Sequence, residues 1–297
     1  MRWGLIGTGP WARSVHAPSL HAHPTAEFVA VWGRDGRKAA ELAAEHGARA
    51  VDGIDDLFDE VDAVSFAIAP SAQAPLARAA IERGRHVLLE KPVSTDPVVV
   101  AELADRVPDD VRAAVFLTRL FEPSRAEWLR GAMDGGYTEA HVEWVSSALT
   151  PGSAYADSAW RHGADGAIWD LMPHVLSQVV AVLGDVVEAS SEAWTERDGV
   201  LVRLVHAGGG ITRVRLTLTA QPEERAEWIR FDGPRGSSRS PEGALDFLAA
   251  HSAAVSALDD GRTLAEDPLL RWATVRAAVA PTGVMRGLAD AWRADIG

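Results

Sequence analysis

The sequence predicts an α/β protein, with an N-terminal Rossmann-type doubly wound parallel sheet followed by an α+β domain built on a mostly antiparallel open sheet. Three observations carry this expectation. As far as about residue 118, strand-like apolar runs alternate with helical stretches of about ten to fifteen residues, the rhythm of a parallel sheet with helical crossovers. A glycine turn, Gly7-Thr8-Gly9-Pro10-Trp11-Ala12, stands directly between the first such run and a helix. Beyond residue 118 the rhythm gives way to one long apolar helix and a series of alternating strand-like runs.

In order along the chain, RWGLIG (2–7) is a strand, and WARSVHAPSLHAH is a helix that Pro18 should bend or interrupt. EFVAVWG (27–33) is the next strand, and RKAAELAAEHG (37–47) a helix closed by Gly47. VDAVSFAIA (61–69), HVLLEK (86–91) and RAAVFLT (112–118) continue the strands, with APLARAAIERG (74–84) and DPVVVAELADRV (96–107) as helices between them. The change of pattern places a domain boundary near 118, giving one domain over 1–118 and a second over 119–297. In the latter, a helix over 122–136 leads through EAHVEWVSSAL to a long helix, 167–184. VVEASSEAWT, VLVRLVHA, ITRVRLTLTA and EWIRFDG then read as strands, with HAGGG and QPEER as hairpin turns. Helical segments at about 244–260 and 267–293 finish the chain.

Composition narrows the functional classes. The 297 residues suit two domains, and 42 acidic against 29 basic side chains leave a net charge of −13. Such a chain has no cationic excess with which to bind nucleic acid or an anionic membrane. With no cysteine, disulfides, thiolate nucleophiles and cysteine metal sites are excluded, which suits a cytoplasmic location. The N-terminal MRWGLIGTG reads as a strand entering a turn and not as a signal peptide. No uncharged apolar stretch reaches the roughly 18 residues of a membrane helix.

The glycine turn fits G-x-G-x-x-A. Gly7 permits the tight turn, Gly9 admits a pyrophosphate to the backbone, and Ala12 leaves room for helix against strand. Glycines also punctuate ordinary turns, so the motif counts through its place after the first strand. At the end of the second strand, where a carboxylate would hold the ribose of NAD, the chain has Gly33-Arg34-Asp35, followed by Arg37 and Lys38. Arg34 there suits a 2′-phosphate, favouring NADP, with NAD as the alternative if Asp35 reaches the ribose.

HVLLEKPVS (86–94) is a strand-forming run that stops on a charged pair fixed by a proline. Together GLIGTGPWA, GRHVLLEKPVS and GAIWDLMPHVLSQVVAVLG resemble the Gfo/Idh/MocA oxidoreductases, over nearly the whole chain and in order. The resemblance implies that Lys91, Asp170 and His174 surround the nicotinamide and the reacting carbon, and that Pro92 directs Lys91 through a cis bond. It also implies a cofactor site lined by Thr8, Pro10, Trp11, Ala69, Pro70, Gln73, Glu90, Lys91 and Pro92, and substrates drawn from sugars, inositols and related compounds. The chemistry agrees. Asp170 and His174, four apart, share a helix face. Histidine is suited to moving a hydroxyl proton near neutral pH, and Lys91 to stabilising a developing oxyanion.

The chain departs from the family pattern at two places. Gln73 stands where many relatives have a loop histidine, and Asp165 interrupts the glycines ahead of the catalytic helix, as a second carboxylate or as a cap. Trp160, Arg161 and Arg119 are candidates for the substrate wall. No third ligand accompanies Asp170 and His174, so no metal is expected. The alternating ITRVRLTLTA face, with Trp144 and Trp194, is the expected surface of a homo-oligomer, a dimer or tetramer formed through the C-terminal sheet. The resulting function is hydride transfer between NADP and a secondary alcohol or ketone of a polyhydroxylated small molecule. Alternatives are a reductase of another carbonyl or unsaturated compound, and a non-catalytic NADP-binding sensor.

Overall fold

The computed structural model describes residues 1–195 and 198–296. Two compact units emerge: Met1–Pro123 with Leu245–Val279, and Ser124–Ala244 with the segment from Ala280 onward. A single cut near 118 therefore does not describe the partition, because the chain returns to the first unit after finishing the second sheet.

The first unit holds β1 (Arg2–Ile6), α1 (Ala17–Ala22), β2 (Glu27–Trp32), α2 (Gly36–Glu45), β3 (Arg49–Ala50), α3 (Ile54–Glu60), β4 (Ala63–Phe66), α4 (Pro70–Glu82), β5 (His86–Leu89), α5 (Pro97–Asp105), β6 (Ala113–Val115) and α6 (Thr118–Phe121). The strands are parallel in the order β3-β2-β1-β4-β5-β6. The order reverses beside β1, so the crevice outside the carboxyl ends of β1 and β4 is the topological switch point where such sheets take ligands. Helices cover both faces, which is why β1 and β4 are apolar almost throughout, with Trp3, Leu5, Ile6, Val64 and Phe66 fully buried. β3 and α3 lie in a stretch that the sequence left unassigned: two residues carry no strand periodicity, and IDDLFDE is mostly acidic.

The helix after the glycine turn does not break at Pro18. It opens into a π-helical turn over Ala12–His16, with Ala17 N–H donating to Ala12 O, and then continues as α1. A proline ring crowds the carbonyl four residues back, here Ser14, and the wider turn relieves that clash.

The second unit holds α7 (Pro123–Met133), β7 (Glu139–Val145), α8 (Gly166–Leu183), β8 (Val186–Trp194), β9 (Gly199–His206), β10 (Ile211–Thr217), β11 (Ala226–Gly233) and β12 (Gly236–Arg239). The sheet order is β12-β11-β7-β10-β9-β8, antiparallel except for the parallel pair β7/β10. HAGGG closes the β9/β10 hairpin as expected. QPEER closes none, because β7 lies between β10 and β11 and takes the hydrogen bonds of both. α8 packs on β7, β9 and β10. It is the one helix among the described residues long and apolar enough to cross a membrane, and 78% of it is buried inside the protein, as in a core helix.

The remaining helices are α9 (Phe247–Asp260), α10 (Arg262–Glu266) and α11 (Val279–Ile296). α9 belongs to the first unit. It lays Ala250, His251, Ala254, Val255 and Leu258 against that unit, with Arg112 Nη1 donating to Asp259 O at 2.9 Å and Trp3 Nε1 to Asp259 Oδ1 at 3.2 Å. The first part of the expected helix over 267–293 is instead a short 3₁₀ turn, Leu270–Ala273.

Candidate active site

Gly7 leaves β1 with φ of 130°, its N–H donating to Trp32 O at 2.9 Å. A Cβ there would lie 2.3 Å from the Ala67 carbonyl oxygen, so the turn admits only glycine. Gly9 is different, since a Cβ would meet nothing within 4 Å. The helix starts at the next residue, Pro10, and first-turn N–H groups and the helix dipole suit a pyrophosphate. The backbone therefore fits a dinucleotide.

At the end of β2 a Cβ on Gly33 would fall 2.7 Å from Thr8 Cγ2, so a larger residue at this position would require the Thr8 side chain to turn aside. Asp35 is engaged elsewhere: it caps α2, accepting from Lys38 N at 3.2 Å. Arg37 pairs with Glu41. Arg34 is exposed and enters no hydrogen bond or ion pair among the described residues.

β5 delivers Glu90-Lys91-Pro92, and the Lys91–Pro92 bond is cis. Gln73, fully buried in the first turn of α4, holds this segment like an added strand residue. Its Nε2 donates to Glu90 O at 2.7 Å, and its Oε1 accepts from Glu90 N at 2.8 Å. Ala69 and Pro70, as N-cap and first residue of α4, set the angle of that side chain. Glu90 Oε1 accepts from Trp11 Nε1 at 2.7 Å, and Oε2 from Lys91 N at 3.2 Å. The first unit thus brings together Gly7, Thr8, Gly9, Trp11, Gly33, Gln73, Glu90 and Lys91. Arg119 also belongs to this unit and not to the second domain: it is buried in α6, donating to Thr118 Oγ1 at 2.7 Å and lying over the Phe247 ring.

In the second unit, Asp170 and His174 share the buried face of α8, at 6% and 5% exposure. The His174 ring stacks on Trp144, with centroids 5.4 Å apart. Trp144 is therefore a core residue on the helix-covered face and not a subunit contact, because strand alternation places it with Ala140 and Val142. Arg161 binds Asp170 bidentately, Nε to Oδ2 at 2.9 Å and Nη2 to Oδ1 at 3.1 Å, while its guanidinium lies over Trp160 and Tyr155. Asp165 accepts from Trp169 Nε1 at 2.7 Å and pairs with Arg293, making no side-chain cap on α8. Among the described residues no group of three potential ligands is arranged for a metal ion.

Sequence reasoning missed His16, which meets Glu90, and Ser65 and His251, which meet His16 from separate elements, and gave Gln73 no structural role.

Residues 1–112 match the model of an oxidoreductase family, described as an NAD-binding Rossmann fold. A dTDP-3,4-didehydro-2,6-dideoxy-α-D-glucose 3-reductase from Streptomyces antibioticus is 40% identical over 96 residues, 32% of this chain and 29% of that protein. The enzyme of the same name from Streptomyces violaceoruber is 35% identical over 188 residues, 62% of this chain and 55% of that protein. These alignments span less than two thirds of either relative. Among solved structures, UDP-N-acetylglucosamine 3-dehydrogenase from Acidithiobacillus ferrooxidans superposes with a TM-score of 0.81 at 22% identity, covering 100% of this chain and 99% of that one. The shared fold is thus complete in both units.

Proposed function

We propose that this chain, a Gfo/Idh/MocA oxidoreductase by the NAD-binding Rossmann domain of residues 1–112, transfers a hydride between NADP(H) and a secondary alcohol or ketone of a sugar. The observation that carries the proposal is the glycine turn at the switch point of the parallel sheet, with Lys91 presented from the same sheet edge. Bound NADP(H) supplies or accepts the hydride.

The chain's own residues do the rest. Gly7, Gly9 and the helix start at Pro10 hold the pyrophosphate, and Arg34 meets the 2′-phosphate. Lys91 donates a hydrogen bond to the reacting oxygen and stabilises the charge that develops there. His174 takes the hydroxyl proton from the alcohol or returns it to the ketone. Asp170, fixed by Arg161, orients the substrate, and the Trp160 ring stacks on it. Two relatives named as 3-reductases of a dTDP-sugar and one solved structure named as a UDP-sugar 3-dehydrogenase support a nucleotide-linked sugar, reacting at carbon 3.

The open face of the second sheet carries cross-strand ion pairs, Arg213 with Glu139 at 2.9 Å and Arg215 with Glu143 at 3.6 Å. We assign self-association to this face, which light scattering of the purified chain tests.

The test of function is NADPH oxidation in the presence of 3-keto nucleotide sugars. Wild-type protein turns over, and His174→Asn lowers kcat by about a hundredfold or more while NADPH affinity stays unchanged. Weakened NADPH binding with normal kcat would remove His174 from the proton step.

A further inference from the structure

We infer that Glu90 is a positioning residue: its carboxylate couples the glycine turn to the Lys91 segment, and a buried His16–Ser65–His251 chain fixes that carboxylate. The inference rests on the glycine turn being the NADP(H) site.

Glu90 meets three groups. Its Oε1 receives the Trp11 indole N–H at 2.7 Å and lies 3.2 Å from His16 Nε2, both on the helix that opens at the glycine turn. Its Oε2 receives the Lys91 backbone N–H at 3.2 Å. Trp11 is two residues from Gly9, and Lys91 is adjacent, so a shift at either end is transmitted through one carboxylate.

Behind Glu90 lie three fully buried side chains. His16 Nδ1 is 2.8 Å from Ser65 Oγ and 3.1 Å from His251 Nε2, and Ser65 Oγ is 3.1 Å from His251 Nε2. With both imidazoles neutral, the protons have one order that serves every contact. A carboxylate only accepts, so His16 Nε2 carries the hydrogen and His16 Nδ1 is an acceptor. Ser65 then donates toward His16, and His251 donates from Nε2. The remaining atom, His251 Nδ1, is buried without a hydrogen-bond partner among the described residues, which a bare lone pair tolerates better than an N–H. Burial, with His16 and His23 nearby, holds His251 neutral and keeps the order intact. Phe116 packs edge-on against both imidazoles.

A network that buries a serine and two histidines and leaves one nitrogen unpaired is a poor way to gain stability. It is a good way to hold one carboxylate in one orientation. Glu90 is therefore set by the interior of the protein, and it sets the two loops in turn.

Two conservative changes separate the links. Trp11→Phe removes the indole N–H and keeps the aromatic body. Glu90→Gln retains an oxygen for Trp11 and His16 but turns an amide NH₂ toward the Lys91 N–H. Because the two links act in series, breaking either should disconnect the loops, and breaking both should add nothing. NADPH titrations of wild type, each variant and the double variant read this directly, with thermal melts confirming that each is folded. The expected result is a rise in NADPH Kd of about tenfold for each single change and no further rise for the double. Additive losses, or wild-type affinity in both single variants with only a lowered Tm, would overturn the coupling and leave the cofactor site standing. Failure of the wild type to bind either NADPH or NADH would overturn both.

Discussion

Burial drives the His251 pKa well below its ordinary 6.5, with His16 and then His23 adding like-charge repulsion. The sign of the consequence follows from linkage. The unfolded chain protonates this imidazole as pH falls through about 6.5 while the folded chain keeps it neutral, so the unfolded state binds more protons and stability falls. Desolvation lowers His206 in the same direction. Stability measured by urea unfolding is therefore expected to be level above pH 6.5 from these groups and to decline below it, and His251→Asn should flatten that decline. At the nucleotide end, Arg34→Ala should raise the NADPH Kd about tenfold, the loss of one charge-assisted contact, and leave NADH unchanged. Equal losses for both would show that Arg34 does not read a 2′-phosphate. Lys91, Asp170 and His174 were singled out because their segments carry a recognisable pattern, and their proposed roles await the turnover test. His16, Ser65 and His251 were not, because His16 and His251 lie 235 positions apart, and each looks alone like an ordinary histidine on a helix.

At the scale of elements, Gln73, expected in a loop, stands in the first turn of α4 and acts as a structural clamp. Its amide pairs reciprocally with the Glu90 main chain, so Gln73→Leu leaves a buried N–H and C=O without partners, each costing about 1–3 kcal/mol. A melt should show that loss, and Gln73→Glu should not restore it, since a carboxylate cannot donate to Glu90 O. An unchanged Tm in Gln73→Leu would remove the clamp. The strands of the first sheet were legible from apolar runs, and so were α2, α4 and α5. β3 was too short to show a period, and Pro18 suggested a break because the sequence does not reveal that a helix can widen around it. QPEER looked like a hairpin turn because local turn chemistry does not say which strand will be the neighbour.

For the whole molecule, composition and the change of rhythm near 118 revealed two units and their fold classes. The return of α9 to the first unit was hidden, because its alanine-rich face, Ala250, Ala254 and Ala257, fits either core by composition. That return matters for the site, since α9 carries His251 and so completes the group behind Glu90. The proposed hydride transfer requires the first unit to be a nicotinamide dinucleotide site that prefers the phosphorylated form. Isothermal titration of the full chain with NADPH and NADH tests this most directly. Micromolar or tighter NADPH binding with weaker NADH binding is expected; heat-silent titrations with both, at concentrations where a micromolar site would saturate, would overturn the nucleotide site.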